Sequence, residues 1–250
     1  MTDLAADSLA GRLRALTPAR VGLGRMGVSQ PLRSHLEFQR AHALARDAVH
    51  ARLEAGAVAE ALRAASGEDV IRLHSKAADR ATYLQRPDLG RQLDEASRAA
   101  LRERAGESRD LAIVVADGLS ALAVERHAVP LLQEWLPQLG GWRLAPICLV
   151  EQGRVAIGDE IGERLGAALS VVLIGERPGL SAPDSLGAYI TWSPRPGRTD
   201  AERNCISNIR AEGLSYRRAA AQLMFYAGEA RRRRLTGVAL KESSALLKEG

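Results

Sequence analysis

The chain has 250 residues, of which 46% are hydrophobic, and its 35 basic and 30 acidic residues give a formal net charge of +5. This length and apolar content suffice for a full hydrophobic core without disulfides. The two cysteines, Cys148 and Cys205, fit neither a disulfide framework nor a zinc motif, which points to a reducing compartment. We find no secretion signal and no apolar run long enough to span a membrane, so we expect a cytoplasmic protein.

The basic excess is mild and suits an anionic ligand or an acidic protein partner. Nucleic acid is disfavoured because aromatic residues make up only 4% of the chain and its basic residues are dispersed. The densest basic cluster, Arg231 to Arg234, ends a helical pattern shortly before Gly237. We therefore interpret it as a set of cations at a helix C-terminus, where they oppose the macrodipole.

The first motif along the chain is a glycine triplet, Gly22, Gly24 and Gly27, with the G-x-G-x-x-G spacing of dinucleotide-binding sites. The spacing lies in the wrong context, because Thr17 and Pro18 stand where a strand should precede it. We predict a flexible or interface loop instead of a nucleotide site. Upstream, the weakly amphipathic stretch around residues 9–16 leaves open a role in assembly.

A helical pattern predominates from about residue 30 to residue 105. Pro31 marks a helix start, Gly56 a plausible helix end, and a further helical stretch runs through residues 91–103. On the first helix His35, Gln39, His42 and Arg46 share a stripe, which we interpret as a solvated or partner-facing surface. No two histidines lie four residues apart, so one helix face cannot chelate a metal.

After residue 105 the pattern changes to short apolar runs separated by helical segments such as 120–136. The runs lie at 111–118, 146–155, 169–176 and 188–193. Continuously apolar strands spaced by helices predict a parallel sheet covered on both faces. We expect an α/β fold with a Rossmann-like, open and mainly parallel sheet in residues 106–250, and a helical N-terminal extension in residues 1–105.

Two of these predicted strands end in charged loops flanked by glycine. Asp117 follows the first strand and Glu176 follows the third, and ligands of open α/β sheets bind beyond such strand ends. The alternatives are structural: Asp117 caps the next helix and Glu176 pairs with Arg177. Cys205, expected in a polar loop, is more readily explained as a packed or ligand-touching residue than as a nucleophile, because no histidine lies near it in sequence.

Five segments between about Leu16 and Lys241 carry a resemblance to a known family: "LTPARVGLGRMG", "FQRAHALARDAVH", "GRVAIGDEIGE", "VVLIGERPGLSAPDSLGAYITWSPRPGRTDAERNCISNIR" and "RRLTGVALK". In these segments the chain resembles the small subunits of ethanolamine ammonia-lyase. This resemblance implies a carbon–nitrogen lyase that converts ethanolamine to acetaldehyde and ammonia with adenosylcobalamin, and that is inactive as an isolated subunit. It further implies cofactor contacts at Val155, Glu176 and Cys205, which match the family's motif positions.

The same resemblance implies that cobalamin lies between this chain and a large TIM-barrel subunit that binds ethanolamine. Residues 1–105 would then include the subunit contacts, in an assembly of six copies of each chain. No D-x-H-x-x-G motif is present, so we expect cobalt to keep its own dimethylbenzimidazole, and we assign no catalytic residue to this chain. Arg177 and Arg203 are candidate partners for the cofactor's phosphate.

Two alternative functions stay open at this point. The chain could be a non-catalytic assembly or regulatory module of that complex, or a stand-alone α/β protein that binds or hydrolyses nucleotides. The absence of a complete catalytic set disfavours the stand-alone enzyme, and the intact Glu176 and Cys205 disfavour a decayed site. Packing of the complex inside a bacterial microcompartment is a further alternative.

Overall fold

A computed structural model of the chain describes residues 9–17, 19–104 and 106–240. Within these ranges six strands form one sheet: β1 (Val70–His74), β2 (Arg109–Ala116), β3 (Ile147–Glu151), β4 (Ala167–Gly175), β5 (Leu186–Trp192) and β6 (Arg203–Ile209). The described helices are α1 (Leu9–Leu16), α2 (Leu32–His50), α3 (Ala55–Ser66), α4 (Arg80–Gln85), α5 (Glu95–Arg102), α6 (Ala121–Trp135), α7 (Ile157–Arg164) and α8 (Tyr216–Arg233). The predicted units also include residues 1–8 and 241–250, which lie outside the described ranges.

The strand order is β1-β3-β2-β4-β5-β6. The first four strands in this order are mutually parallel, whereas β5 is antiparallel to both β4 and β6. Loop 176–185 between β4 and β5 is too short for a crossover helix, so β5 has to turn back beside β4. The predicted α/β class is confirmed, and the sheet is mixed. The Rossmann-like description stays a prediction.

Four strands coincide with the predicted apolar runs, and two were not predicted. Strand β1 lies at a sheet edge inside the region expected to be helical, and its exposed Arg72 interrupts the apolar pattern. Strand β6 has the polar sequence "RNCISNI", which predicts a loop. The polar residues fit a strand here because several of its side chains point to solvent. Both edge strands lack the two covered faces that make a strand continuously apolar.

The predicted end of the first long helix was wrong. Helix α2 ends at His50, and Gly56 lies inside α3. The glycine that ends a helix in this region is Gly67, which caps α3 in the left-handed conformation with φ of 68°. The helix predicted over 120–136 is confirmed as α6, with Ser120 accepting a hydrogen bond from Ala123 N at its start.

The core lies in two layers, one on each face of the sheet. Alternate residues of β2 divide between them: Ile113 and Val115 face α3, α6 and α8, whereas Ala112 and Val114 face α5 and α7. This alternation explains why β2 is apolar along most of its length. The second layer ends near Tyr189 on β5, so the corresponding face of β6 has no helix over it among the described residues.

The N-terminal helices contribute little to this core. Helix α1 has no buried residue, and Ala48 is the one buried residue of α2. Gly22, Gly24 and Gly27 lie in the loop between the two helices, each with positive φ. No described strand precedes these glycines, so the strand that opens a dinucleotide-binding unit is missing among the described residues, and the interpretation as a flexible or interface loop stays a prediction. Pro18, part of that reasoning, lies outside the described residues.

Candidate functional site

The carboxyl ends of β2, β3 and β4 meet at one edge of the sheet, which we call the rim. The rim consists of residues 117–120, 152–156 and 176–185, and it contains two of the predicted site residues, Val155 and Glu176. A cavity of about 480 Å³ opens there; its lining includes Val155, Glu176, Tyr83, Arg154, Arg177 and Tyr189. The rim thus brings residues distant in sequence to one concave surface.

Two glycines allow the rim loops to approach each other closely. A Cβ on Gly118 would lie 2.2 Å from the carbonyl oxygen of Gly175, and Gly118 has φ of 57°. That carbonyl accepts a hydrogen bond of 2.9 Å from Leu119 N. Because any larger residue would push the loop after β2 away from β4, these glycines shape the floor of the cavity.

Glu176 is held by one contact within its own loop and one from β6. Its Oε2 accepts a hydrogen bond from Ser185 Oγ and another, 3.1 Å long, from the backbone N–H of Asn208. The structure gives Oε1 no hydrogen bond from the residues it describes. The carboxylate is therefore fixed in place with one oxygen left to accept a hydrogen bond from a ligand.

The contact with Asn208 depends on an irregularity in the sheet. Between β5 and β6 the register shifts: Leu186 pairs with Ile209, whereas Ala188 pairs with Ile206. This leaves an extra residue in β6, as in a β-bulge, and Asn208 has φ of 59°. The bulge lies opposite Gly187, where a Cβ would come within 3.0 Å of Glu176 Oε1. Gly187 therefore leaves room for the carboxylate that the bulge orients.

Val155 lies in the loop between β3 and α7. It is half-buried and packs against the second apolar layer. Next to it the guanidinium of Arg154 stacks over the ring of Tyr83, 4.1 Å from the ring centre, and donates a hydrogen bond to the Tyr83 carbonyl. Val155 and Arg154 also line a second, more polar cavity of about 760 Å³, so this loop separates two concave surfaces.

The third predicted residue, Cys205, lies on β6, so the expectation of a loop position was wrong. It is exposed, and its register partner across the strands is Tyr189. Opposite residues of an antiparallel pair point to the same face, so Cys205 lies beside the cavity wall that Tyr189 forms. Its hydrogen-bond contact is Ser207 Oγ at 3.4 Å. The structure thus places Cys205 one strand beyond the cavity lining.

Comparison with known proteins identifies the relatives of this chain. The family model of ethanolamine ammonia-lyase light chains matches residues 7–241. An ethanolamine ammonia-lyase small subunit of Pseudomonas aeruginosa (strain LESB58) is 59% identical over 249 residues, which cover 98% of this chain and 91% of that protein. Small subunits of Azotobacter vinelandii and Ralstonia nicotianae are 61% and 58% identical, over 93% of this chain and 88% and 87% of their own lengths. The chain belongs to the ethanolamine ammonia-lyase light-chain family.

The enzyme of this light-chain family is a carbon–nitrogen lyase, EC 4.3.1.7, and the chain is a subunit of such a lyase complex. The resemblance seen in the sequence is thereby confirmed. Among the described residues of this light chain, no group of three or more His, Cys, Asp or Glu side chains is placed to hold a metal ion.

Asp117 has a structural position in this light chain. Its side chain is 1% exposed, accepts a hydrogen bond of 3.1 Å from Gly153 N and lies 3.5 Å from the Arg80 guanidinium. Burial raises the pKa of Asp117 to about 6, although Arg80 opposes this shift. Neither sequence interpretation of Asp117 is correct: it is buried instead of facing a ligand at the strand end, and Ser120 is the residue that caps α6. Asp117 instead ties the loops after β2 and β3 together beneath the cavity.

The cations proposed for a phosphate differ in their availability. The side chain of Arg203 is 2% exposed and donates to both carboxylate oxygens of Asp159, at 2.6 and 2.7 Å, so it is not available to an added anion. Arg177 is exposed and lines the rim cavity. The expected ion pair between Glu176 and Arg177 is absent from the described contacts, in which Ser185 and Asn208 hold Glu176 instead.

Sequence reasoning missed four residues that shape this light chain's rim: Tyr83, Gly187, Tyr189 and Asn208. Tyr83 is fully buried and donates a hydrogen bond to Gly153 O, with burial raising the pKa of its phenol. Gly187, which directly precedes the predicted strand 188–193 and lies inside β5, is a usable signal, because a glycine in a strand often marks a bulge or a close approach. The other three give no distinguishing signal in the sequence.

Proposed function

We propose that this light chain forms one wall of an adenosylcobalamin site, and that the site is completed by the large subunit of the lyase. The observation that carries the proposal is the rim cavity, which Val155 and Glu176 line together, with Cys205 on the adjacent strand face. These are the residues that the family resemblance assigns to cofactor contacts. The cavity lies beyond the carboxyl ends of parallel strands, as ligand sites of α/β sheets do.

The chemistry of the rim fits a corrin. Peripheral amides of the macrocycle are N–H donors, and Glu176 presents a carboxylate oxygen to which no described residue donates a hydrogen bond. Val155 and Tyr189 offer apolar surface beside it. A cavity of about 480 Å³ is much smaller than the whole cofactor, which agrees with a site shared between two chains.

When bound, adenosylcobalamin supplies the radical chemistry that converts ethanolamine to acetaldehyde and ammonia. In our proposal the rim residues of this chain bind and orient the macrocycle and exclude water from one side of it. We assign no catalytic residue to this chain and expect the large, TIM-barrel subunit to bind ethanolamine. The chain alone is then inactive.

We further propose that residues 1–105 include the contacts with the large subunit, in an assembly of six copies of each chain. Support comes from the apolar side chains that α1 and α2 leave exposed: Leu9, Leu13, Leu16, Leu32, Leu36, Phe38 and Leu44. Exposed apolar patches of this kind mark interaction surfaces. His35, Gln39 and His42 on α2 are exposed as well, in agreement with a solvated or partner-facing stripe.

Among the described residues no helix is both long and apolar enough to cross a membrane. We propose a cytoplasmic location for the complex, with packing into a bacterial microcompartment as a variant of it. Fractionation of cells that express both subunits would test this location.

The test of the cofactor role is reconstitution with the purified large subunit. We expect ethanolamine turnover only when both chains are mixed, and we expect Glu176→Ala to raise the apparent Kd for adenosylcobalamin. Loss of a hydrogen bond to a charged group costs about 1.5–3 kcal/mol, or roughly a 10- to 100-fold weaker affinity. The matched control is Glu151→Ala, since Glu151 also ends a strand but pairs with Arg72 away from the cavity.

Two results would contradict the proposal. Equal turnover by the large subunit without this chain would favour an assembly or regulatory module. Turnover or nucleotide binding by this chain alone would favour a stand-alone enzyme.

A further inference from the structure

The returning arm of loop 176–185 is tethered at three consecutive residues. The carbonyl of Pro183 accepts a hydrogen bond of 2.9 Å from Ser120 Oγ, Asp184 contacts α6, and Ser185 donates to Glu176. The outgoing arm, by contrast, contains the exposed Arg177. The position of Glu176 therefore depends on how the returning arm is held.

Asp184 makes the charged tether of this arm. Its Oδ2 lies 2.7 Å from Arg126 Nη1 and 3.5 Å from His127 Nε2, both on α6. The other ring nitrogen of His127, Nδ1, lies 2.8 Å from the hydroxyl of Tyr216 at the start of α8. If this hydroxyl donates to Nδ1, the ring proton is on Nε2 and faces Asp184.

The charges agree with this arrangement. Burial acts to raise the pKa of Asp184, but Arg126 and His127 outweigh it and hold the pKa below its ordinary value. Burial lowers the pKa of His127, although Asp184 opposes this. The tether is thus an ionised carboxylate against an arginine and a neutral imidazole, and the side chain of Asp184 is only 13% exposed.

We propose that Asp184 is a positioning residue for Glu176. It anchors the returning arm of the loop to α6, so that Ser185 can orient the Glu176 carboxylate toward the cavity. The inference rests on the proposed cofactor role of Glu176, and it extends the site to a residue that does not line the cavity.

The path from Asp184 to Glu176 is short. Ser185 is the next residue in the chain; its carbonyl accepts a hydrogen bond of 3.0 Å from Glu176 N, and its hydroxyl donates to Glu176 Oε2. Without the charge on Asp184 the arm loses its attachment to Arg126. The carboxylate of Glu176 then keeps Asn208 as its fixed donor but samples more orientations.

The test is Asp184→Asn in the reconstituted complex of both subunits. We expect the apparent Kd for adenosylcobalamin to rise about 3- to 10-fold, measured by titrating turnover and by visible absorption. Saturating cofactor should restore the turnover that is lost at lower cofactor concentrations. We expect Asp184→Glu to restore part of the affinity. The matched control is Asp110→Asn: Asp110 is also 13% exposed and pairs with Arg143 at 3.0 Å, but it lies at the opposite end of β2.

The control separates positioning from stability. If both variants lower the thermal midpoint by similar amounts, only Asp184→Asn should weaken cofactor binding. An unchanged Kd in Asp184→Asn, or an equal rise in Asp110→Asn, would overturn the inference.

A double mutant identifies the path of the effect. If Asp184 acts through Glu176, Asp184→Asn adds little to the Kd of Glu176→Ala, because the residue it positions is already lost. Additive effects would overturn the inference. A normal Kd in Glu176→Ala alone would instead contradict the proposed function, so the two failures are distinguishable.

Discussion

Gly187 has no side chain, and its contribution to the site is the space that it leaves beside Glu176. We expect Gly187→Ala to displace the carboxylate, because the new Cβ would lie 3.0 Å from Oε1 and 3.1 Å from Cγ. In the reconstituted complex this variant should bind adenosylcobalamin more weakly, by about 10-fold, a loss of roughly 1.4 kcal/mol. The control is Gly228→Ala in α8, where a Cβ meets no atom of the described residues within 4 Å and alanine favours the helix. Equal affinities for the two variants would contradict this interpretation.

Asp117 makes a pH-dependent contribution to stability. Because burial raises its folded-state pKa to about 6 from the ordinary value of 3.8, the folded chain binds the proton more tightly than the unfolded chain. The stabilisation is therefore fully present below the unfolded pKa and is lost as the pH rises through about 6. Between pH 7 and pH 5 we expect the wild-type complex to gain roughly 1.4 kcal/mol relative to Asp117→Asn. Thermal midpoints of both complexes across this range would measure it, and parallel curves would contradict the expectation.

The residue that ends α8, Arg234, has a backbone conformation that costs free energy of folding. The basic run predicted at a helix C-terminus is confirmed, and Arg234 takes the left-handed cap position with φ of 56°. A side chain in this conformation costs roughly 1 kcal/mol that glycine avoids. We expect Arg234→Gly to raise the thermal midpoint by about 2–4 °C. Arg233→Gly, one residue earlier inside the helix, should lower it instead. A lowered midpoint in Arg234→Gly would show that its side chain stabilises the chain.

Three of the four strands that the sequence predicted have both faces covered. Strands β2, β3 and β4 are continuously apolar because helices pack on each side, and this pattern is visible without a structure. Strand β6 was missed because the face with Cys205 and Ser207 has no helix over it among the described residues. The positions of Val155 and Glu176 at the rim followed from the strand ends. The contact between Glu176 and Asn208 did not, because a bulge and its register cannot be read from one sequence.

At the scale of the whole molecule, positive charge and exposed apolar surface coincide. Residues 9–50 contain seven arginines and two acidic residues, a balance of +5 that equals the formal net charge of the whole chain. The same stretch leaves Leu32 and Leu36 on α2 exposed by 71% and 53%. A surface of this composition complements a partner with apolar and acidic groups. Residues 9–50 of a second copy of this chain would be repelled by like charge.

The double substitution of Leu32 and Leu36 to serine tests this surface. We expect binding of the large subunit to weaken by about 1–3 kcal/mol, since each exposed leucine would lose apolar burial in the complex. Sedimentation or isothermal titration with the large subunit would measure the affinity. Val238→Ser is the control, because Val238 is 74% exposed at the other end of the described chain. Normal affinity in the double variant would place the subunit contacts elsewhere.

Strand β4 belongs to both halves of the sheet, and this has a consequence for folding. We expect the antiparallel half to form first by short-range closure of β4 on β5, because the parallel half requires long crossovers that close slowly. Val155 comes from the slow half, and Ser185 and Asn208 fix Glu176 from the fast half. A ligand that contacts both residues is therefore bound only by chains in which the two halves have joined. Its binding then favours completed molecules over partly folded ones, by an amount that grows with ligand concentration.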